Sequence, residues 1–149
     1  MEKEQYERGI KRSIISAEEI AAAIQEAGRK IDEWYDGRPI LLVSILKGSF
    51  VFLADLCRAI KSPCEIGFMC AKSYYNGTVS SGVVKITMDL EQDINQYHVI
   101  IVEDIVETGH SMKHLLDYLA DFEPRSVAIC TLFFKPEKFQ YDYPIEYVA

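Results

Sequence analysis

Short β-rich apolar runs alternating with helical patterns set the framework of the 149-residue chain. Ile40–Ile45 and Val99–Val102 are apolar with hardly a polar interruption, and Ser126–Phe134 is a third such run. Strands without a polar face suit a parallel sheet covered by helices on both sides. Between them lie stretches of helical period. Ser16-Ala17-Glu18-Glu19 reads as a capping box, and the helix it opens carries Ile20, Ile24, Ala27, Ile31 and Trp34 toward a core. That helix stops before Gly37 and Pro39. A second helix follows Ser49, with Phe50, Phe52, Leu53, Leu56 and Ile60 among its apolar positions. A third runs from Ser111 to about Asp121, on Met112, Leu115, Leu116 and Leu119.

Two regions break this rhythm. Glu65–Ala71 alternates, which predicts a half-buried strand with Ile66, Phe68 and Cys70 inward. Lys72 to Gly82 is rich in Gly, Ser, Asn and Tyr, and predicts a hairpin arm or mobile loop before a strand over Val83–Met88. Pro144–Ala149 reads as one more strand, inside which the sequence breaks off. The expected class is α/β, one domain over 1–149, with a mainly parallel central sheet flanked by helices.

Composition narrows the function. The apolar fraction is 49%, and the net charge is −7 without any Lys/Arg run, which argues against nucleic acid as the main partner. Cys57, Cys64, Cys70 and Cys130 are scattered with no C-x-x-C pair, so reduced thiols are expected. The first residues are charged, and nowhere do ~18 apolar residues run together, so a cytoplasmic chain with no membrane partner is expected.

The chemistry gathers where strands end. Val99–Val102 stops at Glu103 and Asp104, and Thr108-Gly109-His110-Ser111 then leads into a helix. A glycine turn at a helix N-terminus offers unpaired N–H groups and the positive dipole end to an anion. Phosphate alone would be repelled by Glu103, Asp104 and Glu107. The acids make sense when the ligand also brings hydroxyls or a divalent cation, as a phosphorylated sugar with magnesium does. Ile40–Ile45 ends likewise, at Leu46-Lys47-Gly48-Ser49, but this turn carries a cation suited to the other end of a diphosphate ligand. Lys135 closes Ser126–Phe134 at the same edge, where open α/β sheets hold ligands.

V-E-D-I-V-E-T-G-H-S resembles the phosphoribosyl-pyrophosphate (PRPP) signature of the type I phosphoribosyltransferases. The Glu-Asp pair points to their 6-oxopurine branch, the hypoxanthine-guanine phosphoribosyltransferases. The resemblance runs from about Ile14 to the end. It implies the type I fold, with a flexible loop and a partial C-terminal hood, since the family continues with a segment that has no counterpart here. Carried over by position, Lys47 and Gly48 hold pyrophosphate, in a turn with a cis peptide before the lysine. Glu103 and Asp104 take the ribose hydroxyls and the Mg2+ sphere, and Glu107, Thr108, Gly109, His110 and Ser111 wrap the 5′-phosphate. Ser73 and Tyr74 match the flexible active-site loop, and Lys135 bonds the 6-oxo group of the purine.

The implied reaction is displacement at the anomeric carbon of PRPP, by which a nitrogen of hypoxanthine or guanine replaces pyrophosphate to give IMP or GMP. Glu107 stands where the family has its proton-accepting aspartate, and reaches one methylene further. His110 stands where the family often has lysine. The alternatives are the same reaction on xanthine or another base, and a PRPP-binding regulator of the same fold. A dinucleotide-binding protein lacks support, since no G-x-G-x-x-G follows a strand. Apolar surface near the first two helices implies a homo-oligomer, a dimer or tetramer.

Overall fold

The computed structural model describes residues 12–76 and 79–149; the side chains of residues 73–83 lie outside what it describes. Helix α1 spans Ala17–Tyr35, β1 Ile40–Ile45, α2 Phe50–Ala59, β2 Cys64–Asn76 and β3 Val79–Met88. Then come β4 at His98–Val106, α3 at His110–Ala120, β5 at Ser126–Phe134 and β6 at Tyr147–Val148. The six strands form one sheet in the order β3-β2-β1-β4-β5-β6. Every pairing is parallel except β2 with β3.

Both faces of the central strands are covered, as their unbroken apolar runs require. Ile40, Leu42, Ile100, Val102 and Ala128 pack under α1 and α2, and Leu41, Val43, Val99, Ile101 and Ile129 pack under α3. The capping box forms in full: Ser16 Oγ accepts from Glu19 N–H, and the Glu19 carboxylate from Ser16 N–H. Asp32, on α1, accepts from the N–H groups of Lys61 and Ser62, tying that helix to the turn into β2.

Four expectations are corrected. Trp34 is exposed and Tyr35 is buried. At about 100° per residue, Tyr35 lies near the centre of the face set by Ile24, Gly28 and Ile31, and Trp34 about 80° off it. Phe50, at the first position of α2, is exposed, while Phe52, Leu53 and Leu56 are buried. In β2 the inward residues are Gly67 and Met69, whereas Ile66 and Phe68 are exposed. The register aligns Ile66 and Phe68 with Leu42 and Ser44, on the helix face, but no helix among the described residues buries them. Pro144–Ala149 pairs only at Tyr147 and Val148, because Pro144 has no N–H and the Glu146 carboxylate takes the N–H of Ile129, at 2.8 Å.

The stretch from Lys72 to Gly82 is a hairpin whose strands run to Asn76 and restart at Val79. Gly77, Thr78 and the side chains of Ser73 and Tyr74 lie outside the described residues. Among the described residues no helix is long and apolar enough to cross a membrane.

Candidate active site

The carboxyl ends of β1, β4 and β5 lie side by side, so their three turns meet at one edge. The β1 turn contains a cis peptide between Leu46 and Lys47. It is fastened from below: Leu46 N–H donates to Met69 C=O at 2.9 Å, and Ser49 Oγ donates to Ile45 C=O at 2.8 Å. Ser49 Oγ also lies 2.7 Å from Ser44 Oγ, both serines being fully buried. That anchoring leaves Lys47 and Gly48 exposed at the edge. Gly48 abuts the acidic pair so closely that a Cβ on it would stand 2.7 Å from Asp104 Oδ2. The two anion-turn candidates thus touch through residues 56 positions apart in the sequence.

At the end of β4, Asp104 N–H meets Glu103 Oε1 at 3.2 Å, and Ile105 N–H donates to Asp104 Oδ1 at 2.8 Å. Burial, reinforced by the hydrogen bond and charge of Asp104, pushes the Glu103 carboxyl up to about 8. The chain then turns through Gly109, whose φ of 85° is a left-handed value that glycine adopts without strain, and which serves as N-cap of α3. A cleft of about 260 Å³ opens here, lined by Glu103 and by Ile105 through Met112. It therefore faces the N–H groups at the start of α3.

Lys135 arrives from β5, where its N–H donates to Val106 C=O at 3.0 Å. Its ammonium pairs with the Glu107 carboxylate. That hydrogen bond, with the charges of Lys135 and Lys138, holds Glu107 below the ordinary carboxylate range. A larger hollow of about 460 Å³ lies at the opposite edge, between Pro39, Pro63, Tyr97 and Arg125. There the strands begin, and the N-termini of α2 and α3 open the other way.

Lys47, Gly48, Glu103, Asp104, Glu107 through Ser111 and Lys135 are thus gathered at one edge, while the side chains of Ser73 and Tyr74 are outside the described residues. Sequence reasoning missed Ser44 and Ser49, which fasten the β1 turn, and Tyr141 and Tyr143, which contact His110 and Gly109. The one signal for the tyrosines is aromatic alternation in F-Q-Y-D-Y.

The phosphoribosyl transferase domain model matches residues 12–147. The hypoxanthine phosphoribosyltransferase of Salmonella typhimurium is 44% identical over 138 residues, covering 91% of this chain and 78% of the relative. The hypoxanthine-guanine phosphoribosyltransferase of Streptococcus pneumoniae is 44% identical over 131 residues, covering 88% of this chain and 73% of the relative. The crystal structure of a hypoxanthine phosphoribosyltransferase from Staphylococcus aureus superposes with a TM-score of 0.93 at 34% identity, covering 99% of this chain and 80% of that one. By sequence over almost its whole length, and by fold, the chain belongs to the phosphoribosyltransferase family.

Proposed function

We propose that this chain is a purine-salvage enzyme that transfers the 5-phosphoribosyl group from PRPP to hypoxanthine or guanine, releasing pyrophosphate. The observation that carries the reading is the contact between Gly48 and Asp104, since a diphosphate sugar needs cationic and acidic turns within one ligand's length. Lys47 and Gly48 hold the pyrophosphate, Glu103 and Asp104 the ribose hydroxyls, and Glu107 through Ser111 the 5′-phosphate. No group of three or more His, Cys, Asp or Glu among the described residues could itself hold a metal ion. Two adjacent carboxylates nonetheless fit magnesium, which keeps several waters and is completed by substrate phosphates. Glu103 and Asp104 would hold that ion, which when bound offsets charge on the departing pyrophosphate.

The base reads the Glu107–Lys135 pair. A 6-oxopurine presents an N7 proton and an O6 acceptor side by side, and the pair presents a carboxylate and an ammonium side by side. Glu107 accepts the proton as the glycosidic bond forms, and Lys135 donates to O6. Adenine puts an amino group where O6 would be, and an ammonium cannot accept from it. Lys47 stabilises the leaving group by its charge.

Apolar side chains exposed among the described residues, Phe50 and Val51 of α2, Ile66 and Phe68 of β2, and Met88 of β3, support self-association of the chain. They flank the Lys47 turn, so association would also brace that turn. The decisive experiment is turnover of hypoxanthine, guanine, xanthine and adenine with PRPP and magnesium. Nucleotide from hypoxanthine or guanine but not from adenine is expected. PRPP binding without nucleotide from any base would refute the enzyme and leave a PRPP-binding regulator.

A further inference from the structure

The segment after β5 grips the turn that leads into α3. Pro136–Lys138 makes one 3-10 turn, and Phe139 to Tyr143 then runs along residues 108–110. Gln140 N–H donates to Thr108 C=O at 3.0 Å. The Tyr143 hydroxyl donates to Gly109 C=O at 2.6 Å. The Tyr141 hydroxyl meets His110 Nδ1, in a direction set by the ring's tautomer. Three consecutive turn residues are each held by one residue of the strap.

The strap is itself braced by aromatic contact. Phe139 sits edge-on to Phe134 of β5 with centroids 5.2 Å apart, and Tyr143 sits edge-on to Phe139 at 5.0 Å. It also leaves no slack against the turn. A Cβ on Gly109 would stand 2.5 Å from the Tyr143 hydroxyl oxygen and 2.6 Å from Phe139 Cε2. None of these strap residues lines the cleft walled by Glu103 and Ile105 to Met112, so they hold the turn from behind.

The peptide group is planar, with C=O and N–H pointing opposite ways. Capturing the Thr108 carbonyl on the strap side turns the Gly109 N–H to the other side. The Gly109 carbonyl, held by Tyr143 and by Lys113 N–H at 2.9 Å, does the same for the His110 N–H. Those two N–H groups belong to the turn read above as the 5′-phosphate site. We propose that Phe139–Tyr143 is a positioning strap that fixes the amide directions of this turn and so sets its affinity for a 5′-phosphate, with Tyr143 as the principal positioning residue. This rests on the reading of the turn given under Proposed function.

The test compares a ligand with and without the phosphate. Tyr143→Phe keeps the ring and removes only the hydroxyl, and the Gly109 carbonyl keeps its helix partner. The expected result is about tenfold weaker binding of inosine 5′-monophosphate, the size of one hydrogen bond, with inosine binding unchanged. In turnover, KM for PRPP rises by a similar factor, while KM for hypoxanthine and kcat stay within about twofold. Tyr141→Phe shifts the same two quantities by a smaller factor, and hydrogen exchange at the Gly109 and His110 amides quickens in both variants. Equal weakening of inosine and its monophosphate, unchanged affinity for both, or loss of the folded state in Tyr143→Phe would each overturn the strap. A wild-type chain that binds neither PRPP nor the monophosphate would instead refute the reading of the site.

Discussion

Replacing Gly48 by alanine tests whether the two anion turns form one site. The substitution brings no conformational penalty of the kind that left-handed glycines carry, since positive φ is confined to Gly37 and Gly109 among the described glycines. What it brings is a methyl carbon 2.7 Å from Asp104 Oδ2 and 3.2 Å from Asp104 Cγ, closer than real Cβ atoms stand, so something must shift. The β1 turn resists, because Ser49 is buried and bonded to both Ser44 and Ile45, and Leu46 N–H is bonded to Met69. Asp104 is the softer side, and its yielding strains the Oδ1 bond from Ile105 N–H. Misplacing a substrate-positioning group by about 1 Å costs on the order of 10²-fold in kcat/KM, which is the upper end of the loss expected here. Such a loss corresponds to about 2.7 kcal/mol in the barrier. The assay is steady-state turnover of hypoxanthine at varied PRPP, on wild type, Gly48→Ala, Asp104→Ala and the double variant. If the methyl acts through Asp104, it adds little once that carboxylate is gone, and the cycle shows strong coupling. Fully additive losses, or a Gly48→Ala chain within threefold of wild type, would refute the argument.

Three further outcomes follow from the geometry. Glu107 must be ionised to accept a proton, and Lys135 holds it below the ordinary value of 4.5, so the Glu107 limb of the kcat/KM profile lies below that value, apart from the fall that Glu103, pushed up to about 8, sets at higher pH. Lys135→Met frees Glu107 to titrate nearer 4.5, which moves the limb to higher pH and lowers the rate, and an unmoved limb would exclude Glu107 as the acceptor. Asp32→Ala lowers the melting temperature by a few degrees, because it removes an acceptor of two backbone N–H groups at a cost of about 1–2 kcal/mol. Burial works against ionised Asp32, but those N–H groups outweigh it and hold the carboxyl below its ordinary 3.8. The bonds are therefore fully present above pH 3.8 and lost as pH falls through the lower folded value, so thermal melts of variant and wild type converge in strong acid. Phe68→Lys puts a charge among these exposed apolar side chains of α2, β2 and β3, and sedimentation should show a smaller species than wild type at equal concentration.

The strands were legible because each is specified by its own residues. Ile40–Ile45 and Ser126–Phe134 form over the predicted spans, since a run without a polar face has only a two-sided core to enter. Errors arose where facing depends on what lies across a gap. Ile66 and Phe68 carry the larger side chains of an alternating strand, yet Gly67 and Met69 face the core. The residue at 67 must be small because Leu90 Cδ2 would stand 2.7 Å from a Cβ there, and nothing within Glu65–Ala71 announces Leu90. Trp34 was mistaken for a core residue through a three-residue step, where the buried face continues by four to Tyr35.

The site divides along the same line. Each turn is a local construction of strand end, glycine and helix start, so Lys47-Gly48 and Glu103 through Ser111 could be read from short stretches. What makes them one site is non-local, and here too a glycine marks the contact, Gly48 against Asp104 and Gly109 against Tyr143 and Phe139. Both were readable as turn glycines, but only Gly109 has the φ that a turn glycine explains. At Gly48 the absence of a side chain answers to a carboxylate 56 residues later, and at Gly109 also to an aromatic strap about 30 residues later. A turn glycine chosen for conformation tolerates any neighbour, whereas one chosen for clearance fixes how closely another segment approaches. That distinction makes Gly48 the sharper probe: alanine there adds no left-handed backbone strain, so the cycle with Asp104→Ala separates the contact with Asp104 from any effect of the methyl on the pyrophosphate itself.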